Sequence, residues 1–186
     1  MRFDAPGRHS TVAFDPMGLV FAAAISGGRV KLFDVRAYDK GPFLTFTPDI
    51  SLPPVGPDGK QPPRSFSGLK FSNDGKLILL SSCHGVHALL DSFKGGLLRT
   101  FSGHSQEGAD GAEGVPLEAC FSPDSEYVLC GGADGAIWRY RSGTGQALPP
   151  LREHNAPVKH IRCNPTRMLL ACGDGDGYTS LWLPEA

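Results

Sequence analysis

The chain has 186 residues, of which 40% are apolar and 20% are charged, a composition typical of a globular domain and not of a disordered segment. The formal net charge of −1 argues against a basic nucleic-acid surface, and no apolar run approaches the ~18 residues that a membrane-spanning helix needs. The first 20 residues carry no signal-peptide pattern, and the five cysteines form no CxxC pair. We therefore expect reduced, buried thiols in an intracellular protein.

Four copies of one pattern follow one another along the chain. Each copy has an aromatic residue or a cysteine, a polar turn, a short apolar run, a second turn and a second apolar strand. The residues that open the polar turns lie 57, 50 and 42 positions apart: Phe14, Phe71, Phe121 and Cys163. Because a propeller blade takes about 40–45 residues, this repeat predicts consecutive blades.

The spacing divides the chain into four blades within a single domain, 1–186. The first two spacings exceed one blade, and the excess lies in two segments rich in proline or glycine, 47–65 and 102–115. We interpret both segments as surface loops between blades and not as linkers between domains. The expected blades are 9–46, 66–101, 116–151 and 157–183.

The apolar runs of the copies predict strands and not helices. LVFAAAIS, LILLSS, YVLCGG and MLLACG are short, continuous and flanked by glycine-rich turns, which favours strands buried on both faces. A further strand is expected in 41–46, 95–101 and 145–151, and the two prolines of the last one restrict it to an outer edge. The fourth copy ends before such a strand, so we expect about fifteen strands in all.

The third and fourth copies resemble WD repeats, whose pattern is Gly-His before the first strand, Asp in the turn before the third, and Trp-Asp at the end of the third. Gly103-His104 supplies the first element of the third copy, and Glu153-His154 replaces it in the fourth. We expect each histidine to order its turn by bonding an aspartate, His104 with Asp134 and His154 with Asp176. The remaining matching positions are Asp134, Tyr140, Asp176 and Trp182, with Asp34 and Asp91 in the first two copies.

Longer stretches resemble one branch of the WD-repeat family. VRAYDKGPF and LKFSNDGKLIL are similar to the WD-repeat subunit shared by COMPASS-type histone lysine methyltransferase complexes and by a nuclear protein phosphatase 1 complex that acts in transcription termination. The resemblance implies an all-β WD40 propeller and a non-catalytic adaptor in the nucleus. The partners that it implies are methyltransferase subunits, the phosphatase 1 regulatory complex and the tail of RNA polymerase II.

This resemblance also implies that the chain holds only part of a ring. The family closes a propeller of usually seven blades, and four copies correspond to its C-terminal part. An open arc leaves two blade faces and one strand edge, near Trp182, without a neighbour. The alternatives are pairing with a second chain and closure as a small ring of four blades.

Other residues were weighed as chemical sites. Cys83, His84 and His87 are too few for a zinc site, which usually has four ligands, and GDGDG at 173–177 lacks the closing glutamate of a calcium loop. No GxSxG motif or nucleophile with a recognisable base is present. We therefore expect no catalytic residue, cofactor, metal, small-molecule substrate, direct nucleic-acid contact or membrane contact.

The expected function is recognition of protein partners by loops that rigid blades hold in place. Candidate contact residues lie where the inter-blade loops and the turns between second and third strands gather, near His84, Ser105 and Asp134. The alternatives are a WD-repeat interaction module of another complex, a truncated product and, less favoured, a propeller enzyme with a site at the central channel.

Overall fold

The computed structural model describes residues 10–25, 27–50, 66–82, 86–102 and 116–184. These residues form four antiparallel sheets and one short 3₁₀ helix, Tyr38–Lys40. None of the helical structure in these ranges has the length and apolar character that crossing a bilayer requires. The prediction of an all-β, partial WD40-type propeller is confirmed, with fifteen strands in the described residues.

Each sheet consists of strands that are consecutive in the chain and pair in sequence order. Sheet 1 contains β1 (Thr11–Phe14), β2 (Val20–Ile25), β3 (Arg29–Asp34) and β4 (Leu44–Phe46). Sheet 2 contains β5 (Phe66–Phe71), β6 (Leu77–Ser82), β7 (His87–Asp91) and β8 (Leu97–Phe101). Sheet 3 contains β9 (Ala119–Phe121), β10 (Tyr127–Gly131), β11 (Ala136–Arg141) and β12 (Ala147–Arg152). Sheet 4 has three strands, β13 (Val158–Cys163), β14 (Leu170–Asp174) and β15 (Thr179–Trp182).

The core lies between the sheets, in three separate layers. In β6, Ile78 and Leu80 pack toward sheet 1, whereas Leu79 between them packs toward sheet 3. In β10, Val128 packs toward sheet 2 and Leu129 toward sheet 4. Successive strand residues point to opposite faces, so a strand with a neighbour on each side needs an unbroken apolar run. This confirms, for the runs of β6 and β10, the prediction of strands buried on both faces; in the end sheets 1 and 4, only the inner face of the run packs against a neighbouring sheet.

The outer faces of the end sheets carry exposed apolar side chains. On sheet 1, the side chains of Val12 and Phe14 are 67% and 64% exposed, and on sheet 4 Leu181 is 65% exposed. Contacts between neighbouring sheets run from β1 to β5, from β6 to β9 and from β9 to β13. The four sheets therefore form an arc whose two end faces carry exposed apolar side chains, although Phe33 on the outer face of sheet 1 is buried.

Polar turns between first and second strands join the sheets at one end of the arc. The backbone N–H of Asn73 donates to Ser125 Oγ, at 3.1 Å. Its side-chain amide donates to the carbonyls of Pro123, at 2.8 Å, and Pro165, at 3.1 Å. One asparagine of sheet 2 thus connects the turns of sheets 3 and 4, which fixes the spacing of three sheets at this end.

The proline-containing strand β12 lies at the edge of sheet 3, as predicted. Its pairing with β11 is irregular between Ile137 and Arg139, where Pro149 and Pro150 lie on β12. Because proline has no N–H, a regular ladder cannot form there. The guanidinium of Arg139 instead donates twice to the carbonyl of Pro149, at 2.8 and 2.6 Å.

Gly131 marks the closest approach of sheet 3 to sheet 4. A Cβ atom on this residue would lie 2.1 Å from the carbonyl oxygen of Val158 on β13. The close approach is held by backbone hydrogen bonds from Val158 N to Gly132 O, at 3.0 Å, and from Glu118 N to Lys159 O, at 3.2 Å. Only glycine fits here without separating the two sheets.

We expect Gly131→Ala to lower the free energy of unfolding of the chain by about 1–3 kcal/mol, the usual cost of overpacking. The matched control is Gly143→Ala, because nothing lies within 4 Å of the Cβ position at Gly143. Urea denaturation of both variants measures the difference. Equal stability of Gly131→Ala and the wild type would contradict the close approach of the sheets.

Candidate functional site

A buried chain of hydrogen bonds joins the three strands of sheet 4 at one end. His154 lies just before β13, and its Nδ1 is 3.0 Å from Asp174 Oδ2 while its Nε2 is 2.7 Å from Ser180 Oγ. The indole Nε1–H of Trp182 donates to the same hydroxyl oxygen, at 2.9 Å. The side chains of His154 and Asp174 are 0% and 3% exposed. We call these four residues the polar tetrad.

The donors and acceptors of the polar tetrad form a consistent set. Trp182 donates to Ser180, Ser180 donates to His154 Nε2, and His154 Nδ1–H donates to the carboxylate of Asp174. The hydrogen bond from His154 lowers the pKa of Asp174 below its ordinary value, and the N–H groups of Asp176 and Tyr178 act in the same direction. Buried polar groups that satisfy one another in this way hold a unique geometry.

The structure corrects one residue of the sequence-based assignment. Asp176 was the expected partner of His154, but the carboxylate in contact with the imidazole belongs to Asp174, at the end of β14. The exposed Asp176 lies in the turn between β14 and β15, where its backbone N–H donates to Asp174 Oδ1, at 3.0 Å. Asp174 is the last strand residue before the turn, so its side chain faces the β12–β13 connection that carries His154.

Sheet 3 departs from this arrangement, because its strand register places Gly132 and Trp138 where sheet 4 has Asp174 and Ser180. The indole of Trp138 lies over Gly132 and donates from Nε1 to Asp134 Oδ1, at 3.2 Å. Tyr140, the predicted terminal aromatic, donates its hydroxyl to the carbonyl of Ser102, at 3.3 Å. His104, the expected partner of Asp134, lies outside the described residues.

Asp34 and Asp91 occupy the turns that follow the third strands of sheets 1 and 2. Asp34 Oδ1 accepts the backbone N–H of Arg36, at 2.8 Å, and its carboxylate pairs with that guanidinium, at 3.0 Å. Asp91 Oδ1 accepts the backbone N–H groups of Phe93 and Lys94, at 2.8 and 2.9 Å. Both aspartates therefore order a local turn.

Asp134, the partner-facing candidate among the described residues, lies at the end of the sheets that carries the polar tetrad. Asp134 lies in the turn between β10 and β11, where its Oδ2 pairs with Arg152 Nη1 at 3.2 Å. Nearby in sheet 4, the hydroxyl of Tyr178 donates to Glu153 Oε1, at 3.2 Å. We call Asp134, Arg152, Glu153 and Tyr178 the rim. His84 and Ser105, the other two candidates, lie outside the described residues.

The electrostatics of the rim favour an ionised aspartate. Partial burial alone would raise the pKa of Asp134, but hydrogen bonds from Ala136 N–H and Trp138, together with the charge of Arg152, lower it below its ordinary value. Tyr178 packs edge-on against the buried ring of His154, with centroids 5.2 Å apart. The rim thus joins opposite charges and an aromatic ring to the rigid polar tetrad beneath.

A second charged cluster escaped the sequence analysis. Glu118, just before β9, pairs with both terminal nitrogens of Arg162 on β13. Lys70 of β5 reaches across to donate from Nζ to the carbonyl of Ile161, at 3.3 Å. These residues are separated by 44 or more positions in the sequence, and no local motif signals their contact. In the described residues, no group of three or more His, Cys, Asp or Glu side chains is arranged to hold a metal ion.

A groove of about 660 Å³ opens between sheets 3 and 4, next to their outer strands β12 and β15. Leu148 and Leu151 of β12 line one wall, and Trp182 and Leu183 line the other. Cys163, at the end of β13, also contributes to its lining. The groove gives solvent a path into the seam between the two sheets.

We expect Ser180→Ala to destabilise the chain by about 1–3 kcal/mol, because it leaves buried groups of His154 and Trp182 without their shared partner. The neighbouring Thr179 is exposed on β15, so Thr179→Ala serves as the control and should cost less. Urea denaturation measures both. A smaller loss of unfolding free energy for Ser180→Ala than for Thr179→Ala would contradict the stabilising role of the polar tetrad.

The assignment of Asp174 makes a second prediction that depends on pH. Because the pKa of Asp174 is lowered in the folded state, its contribution to stability is present above the unfolded pKa of ~3.9 and is lost as pH falls through the folded pKa. Asp174→Asn should lower the Tm at pH 7, with a smaller difference from wild type at pH 3. Asp176→Asn should leave the Tm at pH 7 nearly unchanged; the reverse ranking of the two variants would restore Asp176 as the partner.

Comparison with known proteins agrees with this architecture. The WD domain, G-beta repeat, matches residues 95–139 and 145–182. Each matched segment starts close to the outer strand of one sheet and extends into or through the third strand of the next. The repeat in the sequence is therefore offset by one strand from the sheet in the structure.

Three relatives are similar over most of the chain. WD repeat-containing protein 82 of Drosophila melanogaster is 38% identical over 94% of this chain and 50% of its own length. COMPASS component SWD2 of Saccharomyces cerevisiae is 30% identical over 88% of this chain and 49% of its own length. Set1 complex component swd2 of Schizosaccharomyces pombe is 32% identical, with shares of 86% and 41%.

The chain spans about half the length of these relatives. The two segments that match the repeat run from β8 to β15 and include residues of all strands of sheets 3 and 4. Four consecutive stacked sheets, the repeat match and these relatives agree with one another, and residues 95–139 and 145–182 of the chain carry WD40 repeats.

Proposed function

We propose that this chain is part of a non-catalytic scaffold subunit in a nuclear, COMPASS-type histone lysine methyltransferase complex. The observation that carries the proposal is the similarity to COMPASS component SWD2, at 30% identity over 177 residues. Set1 complex component swd2 and WD repeat-containing protein 82 support the same assignment. The subunit acts by holding partner proteins together on a rigid surface.

The stacking of the sheets supports a recognition role. Middle sheets with apolar residues on both faces resist deformation, so turns at their ends keep fixed positions relative to one another. Binding to a preorganised surface avoids the entropy cost of ordering loops. The rim is such a surface, because the polar tetrad fixes the connection that carries Glu153 and packs against Tyr178.

The chemistry of the rim fits a polar protein partner. Arg152 presents a planar guanidinium that is 60% exposed, and only its Nη1 contacts Asp134. Arginine and tyrosine are enriched among residues that dominate binding energy at protein interfaces. The remaining donors of Arg152 can reach a carboxylate or a phosphorylated side chain of the partner.

Two further partners follow from the family resemblance. They are the regulatory complex of protein phosphatase 1 and the tail of RNA polymerase II, which would link the methyltransferase to transcription and its termination. We propose both as partners of the same scaffold, located in the nucleus. A phosphorylated polymerase tail is an acidic ligand, which agrees with the exposed guanidinium of Arg152.

We expect the tagged chain to co-purify with methyltransferase subunits from nuclear extract. Mass spectrometry of the captured proteins identifies them, and phosphatase 1 subunits would extend the proposal to the second complex. Capture of an unrelated complex without any methyltransferase subunit would favour a general WD-repeat interaction module. Hydrolase activity of the purified chain without protein partners would favour an enzyme instead.

The rim itself is tested by charge reversal at two matched ion pairs. Arg152 pairs with Asp134 at the rim, and Lys76 pairs with Asp74 at the opposite end of the sheets, at 3.2 and 3.5 Å. Both cations are more than half exposed, and such pairs contribute about 0–1 kcal/mol to stability. Arg152→Glu should weaken capture of the methyltransferase subunits by about tenfold or more, as expected for an interface arginine. Lys76→Glu should leave capture unchanged, and equal effects of the two variants would exclude the rim as the contact.

A further inference from the structure

Two cysteines face each other across the seam between sheets 3 and 4. Cys120 lies on β9 and Cys163 ends β13, and their Sγ atoms are 3.6 Å apart. A disulfide has an S–S bond of ~2.0 Å, so a small approach of the two sulfurs would join them. The pair is not a single exposed thiol but two thiols on adjacent, tightly packed inner strands.

The surroundings of the pair stabilise a thiolate at Cys120, whereas the hydrogen bond with Cys120 and burial raise the pKa of Cys163 above its ordinary value. The hydrogen bond with Cys163 lowers the pKa of Cys120, and the positive charges of Lys70 and Arg162 act in the same direction against the effect of burial. Lys70 is fixed by its bond to the carbonyl of Ile161, two residues before Cys163. A nearby cation and a hydrogen-bond donor are the features that make a cysteine reactive.

The other two described cysteines lack these features. Burial raises the pKa of Cys130 well above its ordinary value and that of Cys172 to about 12. Both thiols are almost inaccessible, at 0% and 2% exposure. They behave as apolar core residues, whereas Cys120 and Cys163 combine proximity with a neighbouring cation.

An oxidant can reach the pair from outside. Cys163 is half-buried and lines the groove of about 660 Å³ between sheets 3 and 4. Cys120 is only 4% exposed and lies behind Cys163 in the same seam. The arrangement gives one accessible sulfur and one resolving sulfur within contact distance.

We propose that Cys120 and Cys163 form a reversible disulfide when the chain meets a two-electron oxidant such as hydrogen peroxide. Cys163 passes its proton to the Cys120 thiolate and attacks the peroxide through its sulfur, the O–O bond breaks, and a sulfenic acid and one water form. The sulfur of Cys120 then attacks that of Cys163, the S–O bond breaks, and a second water leaves with the thiol proton. Two thiols lose two electrons and two protons in total, and the peroxide is reduced to two waters.

The disulfide ties the inner strand of sheet 3 to that of sheet 4. Oxidation therefore limits separation of these sheets and narrows the range of positions available to the rim above them. Because the bond closes a loop of about forty residues, it restricts the unfolded chain. A thiol reductant reduces the disulfide to two thiols and removes the link between the two sheets.

The test treats the full chain with a slight excess of hydrogen peroxide and counts free thiols in denaturant. The chain has five cysteines, so the count should fall from five to three and return to five after dithiothreitol. Peptide mapping without reduction should find Cys120 joined to Cys163 within one chain. The oxidised chain should have a higher Tm than the reduced chain.

Single variants provide the matched controls. After peroxide treatment, the number of free thiols should fall from four to two in Cys130→Ala. In Cys120→Ala and Cys163→Ala it should remain at four. Mapping of the wild-type chain does not depend on whether a variant folds. Recovery of both Cys120 and Cys163 as separately alkylated thiols overturns the proposal, as does a disulfide of either one with another cysteine or with a second chain.

Discussion

The structure depends on the need of each sheet to cover both of its faces. A sheet with apolar residues on both faces gains stability by burying that surface against a neighbour on each side. In β6 and β10, alternate residues serve different neighbours, so consecutive residues such as Ile78, Leu79 and Leu80 are all apolar. This constraint determines the radial arrangement of the sheets, the continuous apolar runs and the positions where only glycine fits, such as Gly131.

The same constraint explains why the fold could be predicted from sequence. Short apolar runs between glycine-rich turns, repeated four times, leave few arrangements other than stacked antiparallel sheets. The prolines of β12 correctly indicated an edge strand, because Pro149 cannot donate to a further neighbour. Local chemistry was equally informative at the turns, where Ser72 and Ser122 each bond the carboxylate two residues later.

Contacts between distant residues could not be predicted in the same way. The partner of His154 is Asp174 and not Asp176, because the direction of a side chain depends on where the strand ends and the turn begins. From the sequence GDGDG alone, the end of the strand can be assigned to positions that differ by one or two residues. Lys70 and Ile161 are 91 positions apart, and Cys120 and Cys163 belong to different repeats, so neither contact has a local signal.

The seam between sheets 3 and 4 combines these features in one place. Gly131 brings the two sheets together, the polar tetrad fixes the connection that leads to the rim, and Glu118 and Arg162 join the inner strands by charge. The proposed recognition at the rim requires that the turns carrying the rim residues keep fixed positions. Those positions in turn depend on the distance between sheets 3 and 4. Because the cysteine pair lies in this same seam, the proposed disulfide would fix the same spacing between sheets that positions the proposed recognition surface.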